Sequence, residues 1–290
     1  PDRDGWLGGD AAASVVLPRS DERSSLWLFG DSFVARAGGP NERTYPFVHN
    51  SIAISHCDAD GRWRIDYAWR TASSTVPRAF FEPAPEADWV RRARSESGGD
   101  AYHWPISAAR VGDEIAVALL RVVGAAESGP FLLPFRLVGV DLARLSRTGE
   151  STDAWRIDTA TLSSRADVLP ASSLVVEDGF LHAFAFLARG DGRSPRILTR
   201  IPLGRLDAAT GSLEDAIETW ADEGRWIPGL VPARARILMD DDASEMSVHF
   251  DPGLGEWLAV YAALPGADAR DGAKRDPKTG STLDSSSSVP

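Results

Sequence analysis

The chain has 290 residues, 43% hydrophobic and 25% charged, which is the composition of an ordinary globular protein. Its formal net charge of −11 argues against nucleic acid or an anionic membrane surface as the main partner, and leaves room for a neutral ligand such as a sugar. No apolar run reaches the ~18 residues of a membrane span, and the single cysteine, Cys57, excludes an intrachain disulfide.

From the N-terminus, Trp6-Leu-Gly-Gly-Asp10 leads into Ser14-Val-Val-Leu, and Leu26-Trp-Leu-Phe-Gly-Asp31 follows across a polar turn. Two short apolar runs around a turn predict an antiparallel hairpin. Asp10 precedes the first run and Asp31 follows the second, so the pairing carries both carboxylates to one end of the sheet.

The same order then recurs. A serine opens a short apolar run at Ser14, Ser51, Ser107, Ser173 and Ser247, and each is followed by a turn and a longer apolar run. Helical periodicity is scarce throughout, so the chain is expected to be all-β. With about four strands per repeat, the pattern predicts a five-bladed β-propeller over residues 1–264, with blades starting near 10, 50, 106, 172 and 246. The last unit shows only two strands, and residues 265–290 read as a polar loop or tail. Two segments break the pattern. Residues 77–99 carry Phe80, Phe81 and Trp89 and are expected to form a short helix lying over a face. Residues 205–217 read as an inter-strand loop with a helical turn.

In a propeller the first strand of each blade lines the axis, so residues just before it reach the channel mouth. Those positions hold Asp10, His49, Asn50, His103, Trp104 and Glu245, with Asp31 joining them from the second strand. Glycoside hydrolysis needs this kind of set. One carboxylic acid protonates the leaving oxygen, and a second acts as base or nucleophile. Crowded acids raise the pKa of at least one of them. Trp104 offers a face for a sugar ring, while His49, Asn50 and His103 hydrogen-bond hydroxyls. Asp10, Glu245 and Asp31 are the expected catalytic acids. No metal ligand set or cofactor motif stands out, although Asp240, Asp241 and Asp242 form an acidic loop that could hold calcium.

The motifs Gly8-Gly-Asp10-Ala-Ala-x-Ser, Leu26-Trp-Leu-Phe-Gly-Asp31-Ser-Phe and Phe47-Val-x-Asn50-Ser-Ile-Ala-Ile resemble a bacterial family of five-bladed propellers of formerly unassigned function. Trp104-Pro105, Leu198-Thr-Arg-Ile-Pro202 and Glu245-Met-Ser-Val extend the likeness to residues 5–264. The resemblance implies an enzyme, since some members are endo-D-arabinanases. It implies that Asp10 is the base or nucleophile, Glu245 the general acid and Asp31 a tuning acid. A secreted or cell-envelope location is the expectation. The chain departs from the family at His103, where an aromatic residue is usual, and after residue 264. The alternative is a non-catalytic glycan-binding propeller with the same pocket.

Overall fold

The apolar runs become strands, and their burial shows how far each face is covered. Glu114–Gly124 is buried almost continuously, as a strand covered on both faces must be, whereas Phe180–Leu187 alternates. The protein is described here from a computed structural model covering residues 5–18, 24–34, 46–71, 76–97, 99–124, 135–147, 151–188, 194–207, 211–240 and 243–263. Among these residues it is an all-β chain with a few short helices.

The first part holds β1 (Trp6–Gly9), β2 (Ala13–Val16), β3 (Ser24–Phe29), β4 (Ser32–Val34), β5 (Phe47–Val48), β6 (Ser51–Cys57) and β7 (Trp63–Ala68). They form a four-stranded sheet in the order β2-β3-β6-β7 and a three-stranded sheet in the order β1-β4-β5. A small ribbon of β8 (Arg70–Thr71) and β9 (Pro77–Arg78) follows, then helix α1 (Asp88–Ser97), the helix expected within residues 77–99. The second large sheet is β10 (Ala101–Val111), β11 (Glu114–Gly124), β12 (Phe135–Ser146) and β13 (Arg156–Ser163), in sequence order. The third contains β14 (Val168–Glu177), β15 (Phe180–Leu187) and β16 (Arg196–Pro202). After the one-turn α2 (Leu203–Asp207) it continues with β17 (Glu218–Trp220) and β18 (Trp226–Pro228). The fourth is the hairpin of β19 (Ala243–Asp251) and β20 (Glu256–Ala263).

This topology corrects the repeat count. Ser51 does not open a second unit, because β6 pairs with β3 on one side and β7 on the other, inside the first sheet. Among the described residues there are four blade-like units, not five, and their sheets do not close into a continuous barrel. The misreading has a simple cause. A meander repeats the run-turn-run pattern within one sheet, so the pattern alone does not separate a third strand from a new blade.

The first strands of the four units, β2, β10, β14 and β19, lie side by side, β10 against β2 and β14, and β14 against β19. The recurring serines bind them. Ser107 Oγ donates to the Ala171 carbonyl at 2.6 Å, and Ser173 Oγ accepts from the Val248 amide at 3.1 Å. Between the units lie apolar layers. Leu26, Leu28 and Ile52 pack against Val117, Leu119 and Leu145 of the second sheet. The opposite face of that sheet, including Val122, Val140 and Leu142, meets Leu169, Leu174 and Leu181 of the third. Each fully buried aliphatic side chain contributes about 1.5–3 kcal/mol, against about 0–1 kcal/mol for an exposed ion pair. The interleaved faces, not the surface charges, therefore hold the units together.

Candidate active site

Three neighbouring strands of the first unit break at the same level. β1 passes to β2 through Asp10, β3 to β4 through Gly30 and Asp31, and β5 to β6 through His49 and Asn50. The break is bridged by the backbone: Asp10 N–H donates to the Asp31 carbonyl at 3.0 Å, and Gly30 N–H donates to the Asp10 carbonyl at 2.9 Å. Ala11 supplies the bend with a left-handed φ of 46°, a conformation that costs a side-chain-bearing residue energy and recurs at functional sites. The inner strands of the other units are also irregular near their starts, between Pro105 and Ser107, between Leu169 and Ser173, and between Ala243 and Met246. Glu245 lies in the last of these. Asp10 and Glu245 thus occupy breaks in the innermost strands at opposite ends of the chain.

Asp31 and Glu245 both lie within electrostatic reach of Asp10. The Asp10 carboxyl holds its proton more tightly than usual, first because neighbouring atoms displace water from it, then because of the Asp31 charge and, more weakly, that of Glu245. Backbone amides of Asp31 and Asp10 oppose the effect without cancelling it. Asp10 as a residue remains solvent-exposed, so the group is reachable. Gly30 is shaped around it, since a Cβ on Gly30 would stand 2.3 Å from Asp10 Oδ1.

Asp31 anchors the aromatic wall. Its Oδ1 accepts from Trp104 Nε1 at 2.9 Å and lies 3.3 Å from His49 Nδ1. His49 stacks on Tyr102 with ring centroids 3.5 Å apart and planes 5° from parallel, and Tyr102 meets Trp104 edge-on at 5.7 Å. Burial, with help from Asp31 and Asp100, pushes the Tyr102 hydroxyl up to about 12. Tyr102 was missed as a site residue, although strand alternation places it on the same face as Trp104.

Two expected sugar contacts are corrected. Asn50 is fully buried, and its amide is consumed by the protein: Nδ2 donates to the carbonyls of Phe81 at 3.0 Å and His103 at 2.9 Å, and Oδ1 accepts from Phe81 N–H at 2.7 Å. It pins the insertion that leads to α1. His103 points to the opposite face of β10 from Tyr102 and Trp104, where its Nε2 lies 2.9 Å from Asp141. No cluster of three or more potential metal ligands occurs among the described residues. Asp241 and Asp242 of the acidic loop, like the tail from residue 264, lie outside them. None of the described helices is long and apolar enough to cross a membrane.

Comparison with known proteins places the chain by its N-terminal two thirds. Residues 2–193 match the family described as a domain of unknown function, DUF5005. The chain belongs to that family. The match names no activity. No curated protein matches the chain. Among solved structures, a protein of Bacteroides ovatus provisionally titled a hydrolase is similar with a TM-score of 0.54 at 15% identity, over 90% of this chain and 64% of that one. That likeness concerns the fold. The chain thus spans a little under two thirds of that neighbour's length. A GH43 endo-arabinanase from Bacillus licheniformis superimposes with a TM-score of only 0.34 at 10% identity, over 93% of this chain and 95% of that one.

Proposed function

We propose that the chain is a glycoside hydrolase of propeller architecture, with Asp10 and Glu245 as its reacting carboxyls. The observation that carries this is the placement of Asp10 in a strand break bonded to Asp31 and close enough to Glu245 to feel its charge, where burial and both charges raise its proton affinity. Hydrolysis of an acetal needs one carboxyl that keeps its proton beside one that does not, and differing environments provide that separation. The sheets act as blades around an axis lined by β2, β10, β14 and β19. A ring of five needs one blade beyond the four of the described residues.

The raised proton affinity of Asp10 favours the reverse of the roles that the resemblance implied. In this reading Asp10 donates a proton to the leaving oxygen, and Glu245 attacks the sugar or activates water. Asp31 is held by Trp104 and His49 and positions Asp10 and the aromatic wall. The Tyr102, Trp104 and His49 rings present faces and edges for a furanose or pyranose ring, and an arabinan is the first polymer to test.

The test is release of oligosaccharides from arabinan and other neutral polysaccharides by the full chain, abolished in Asp10→Asn. An Asp10→Ala variant should still cleave an aryl glycoside whose leaving group needs no proton, and azide should rescue Glu245→Ala on that substrate. The opposite pattern would restore the roles implied by the resemblance. Glycan binding without turnover by the unaltered protein would favour a carbohydrate-binding propeller instead.

A further inference from the structure

A second cleft lies behind β10. Cavities of about 690 and 610 Å³ share Ala87, Trp89, Arg121 and Thr161, so they form one cleft beneath α1. Its floor is one face of the second sheet. His103 stands opposite Arg121 across the β10–β11 pair, and Asp141 opposite Thr161 across β12–β13. Tyr102 and Trp104 face the other way, so this cleft and the Asp10 site lie on opposite sides of one strand.

The floor is polar where a core would be apolar. His103, Arg121 and Asp141 are buried and joined: Asp141 accepts from Arg121 Nη2, which also donates to Thr161, and it lies beside His103 Nε2. Taking such charges out of water is costly before pairing offsets it, so packing alone is a weak reason for them. Their hydrogen bonding is also incomplete. His103 Nδ1 and Arg121 Nε have no hydrogen-bond partner among the described residues, although both are buried. The cleft wall adds Trp89, whose ring carries Arg121 on one side at 5.5 Å.

Charge defines what would fit. The five arginines that line the cleft are balanced in number by five acids, with Arg121 paired to Asp141 and Arg78 to Glu82, while Arg70 donates to the carbonyls of Asp153 and Trp155. An anion drawn to Arg121 would meet the Asp141 carboxylate, and a cation drawn to Asp141 would meet Arg121. A neutral ligand with many hydroxyls meets neither penalty, and it can both donate and accept. Each of the two parts of the cleft has a volume within the roughly 300–1,000 Å³ of small-molecule sites.

We infer that the cleft between α1 and the second sheet is a separate binding site for a neutral polyhydroxylated ligand, a short oligosaccharide. It stands on its own residues, whether or not Asp10 hydrolyses anything. The test is titration calorimetry on the full chain carrying Asp10→Asn, so that no ligand is consumed. The probes are neutral arabino-, xylo- and cello-oligosaccharides, with an oligogalacturonate as the charged control. A neutral oligosaccharide should bind, and Trp89→Ala should weaken that binding roughly tenfold or more. Ala87→Trp, which fills the cleft from a partly exposed position, should do the same with an unchanged melting temperature. If Ala87→Trp does not fold, Trp89→Ala decides alone. The inference is overturned if no neutral probe binds, if binding is indifferent to the folded variants, or if the oligogalacturonate binds more tightly. Loss of turnover in Asp10→Asn reports only on the first site, so the two ideas fail separately.

Discussion

The Asp10 amide donates to the Asp31 carbonyl at 3.0 Å, across a break that runs through three adjacent strands. This one bond ties together two acids, and the charge of Asp31 raises the proton affinity of Asp10. It also sets what the neighbouring glycine must be. A methyl on Gly30 would collide with Asp10 Oδ1, and Gly30 has no left-handed φ that would add strain of its own. Gly30→Ala should therefore fold normally and displace the Asp10 carboxyl. Because a misplacement of about 1 Å can cost on the order of a hundredfold in rate, turnover on arabinan should fall strongly with little change in KM. Steady-state kinetics alongside a melting curve checks both halves.

Asp10 also carries a stability signature. Its folded proton affinity is raised, so the folded state binds that proton more tightly than the unfolded chain does. Its favourable contribution is complete below the ordinary aspartate value of 3.8 and is lost as pH rises through the raised value. Asp10→Asn should consequently melt higher than the unaltered protein near neutral pH, and the difference should vanish in acid. Equal differences at both pH values would show that the carboxyl is not perturbed.

Asn50 makes the opposite prediction, stability without direct chemistry. Removing its amide leaves the Phe81 amide, the Phe81 carbonyl and the His103 carbonyl without their partner in a buried place. At about 1–3 kcal/mol for each buried group left unsatisfied, Asn50→Ala should lose at least about 3 kcal/mol in a denaturant titration. Asn50→Asp keeps the acceptor for Phe81 N–H but loses the donor to both carbonyls, and should fare little better.

Asp141 supplies a pH dependence of the other sign. Burial pushes its pKa up, but hydrogen bonds from His103 and Arg121 and their charges outweigh that and hold it below the usual range. Its contribution is present above the unfolded aspartate value and disappears as pH falls through the depressed folded one. Asp141→Asn breaks a buried pair and should cost about 3–5 kcal/mol near neutrality. The gap from the unaltered protein should narrow in acid. Unfolding curves across pH measure it directly.

Much of this was legible in the chain. Hairpin arithmetic placed Asp10 and Asp31 at one sheet end, because antiparallel pairing follows from local turns and apolar runs. The helix over residues 77–99 was legible for the same local reason. Period-two alternation along β10 also suffices to put Tyr102 with Trp104 and His103 apart from them, although treating His103-Trp104 as one cluster concealed it. The assignment of Ser51 to a new repeat went astray because a meander and a blade begin alike.

By itself, then, the sequence determined what depends on near neighbours: the strands, their turns, the paired aspartates and the serines that recur in the inner strands. Only the tertiary structure decided that Asn50 spends its amide on Phe81 and His103, that His103 and Asp141 join Arg121 in a second cleft, and that Glu245 reaches the electrostatic neighbourhood of Asp10. Those relations join residues far apart in the chain. They arise from how the sheets stack, and sheet stacking is set by whole apolar faces rather than by any local motif.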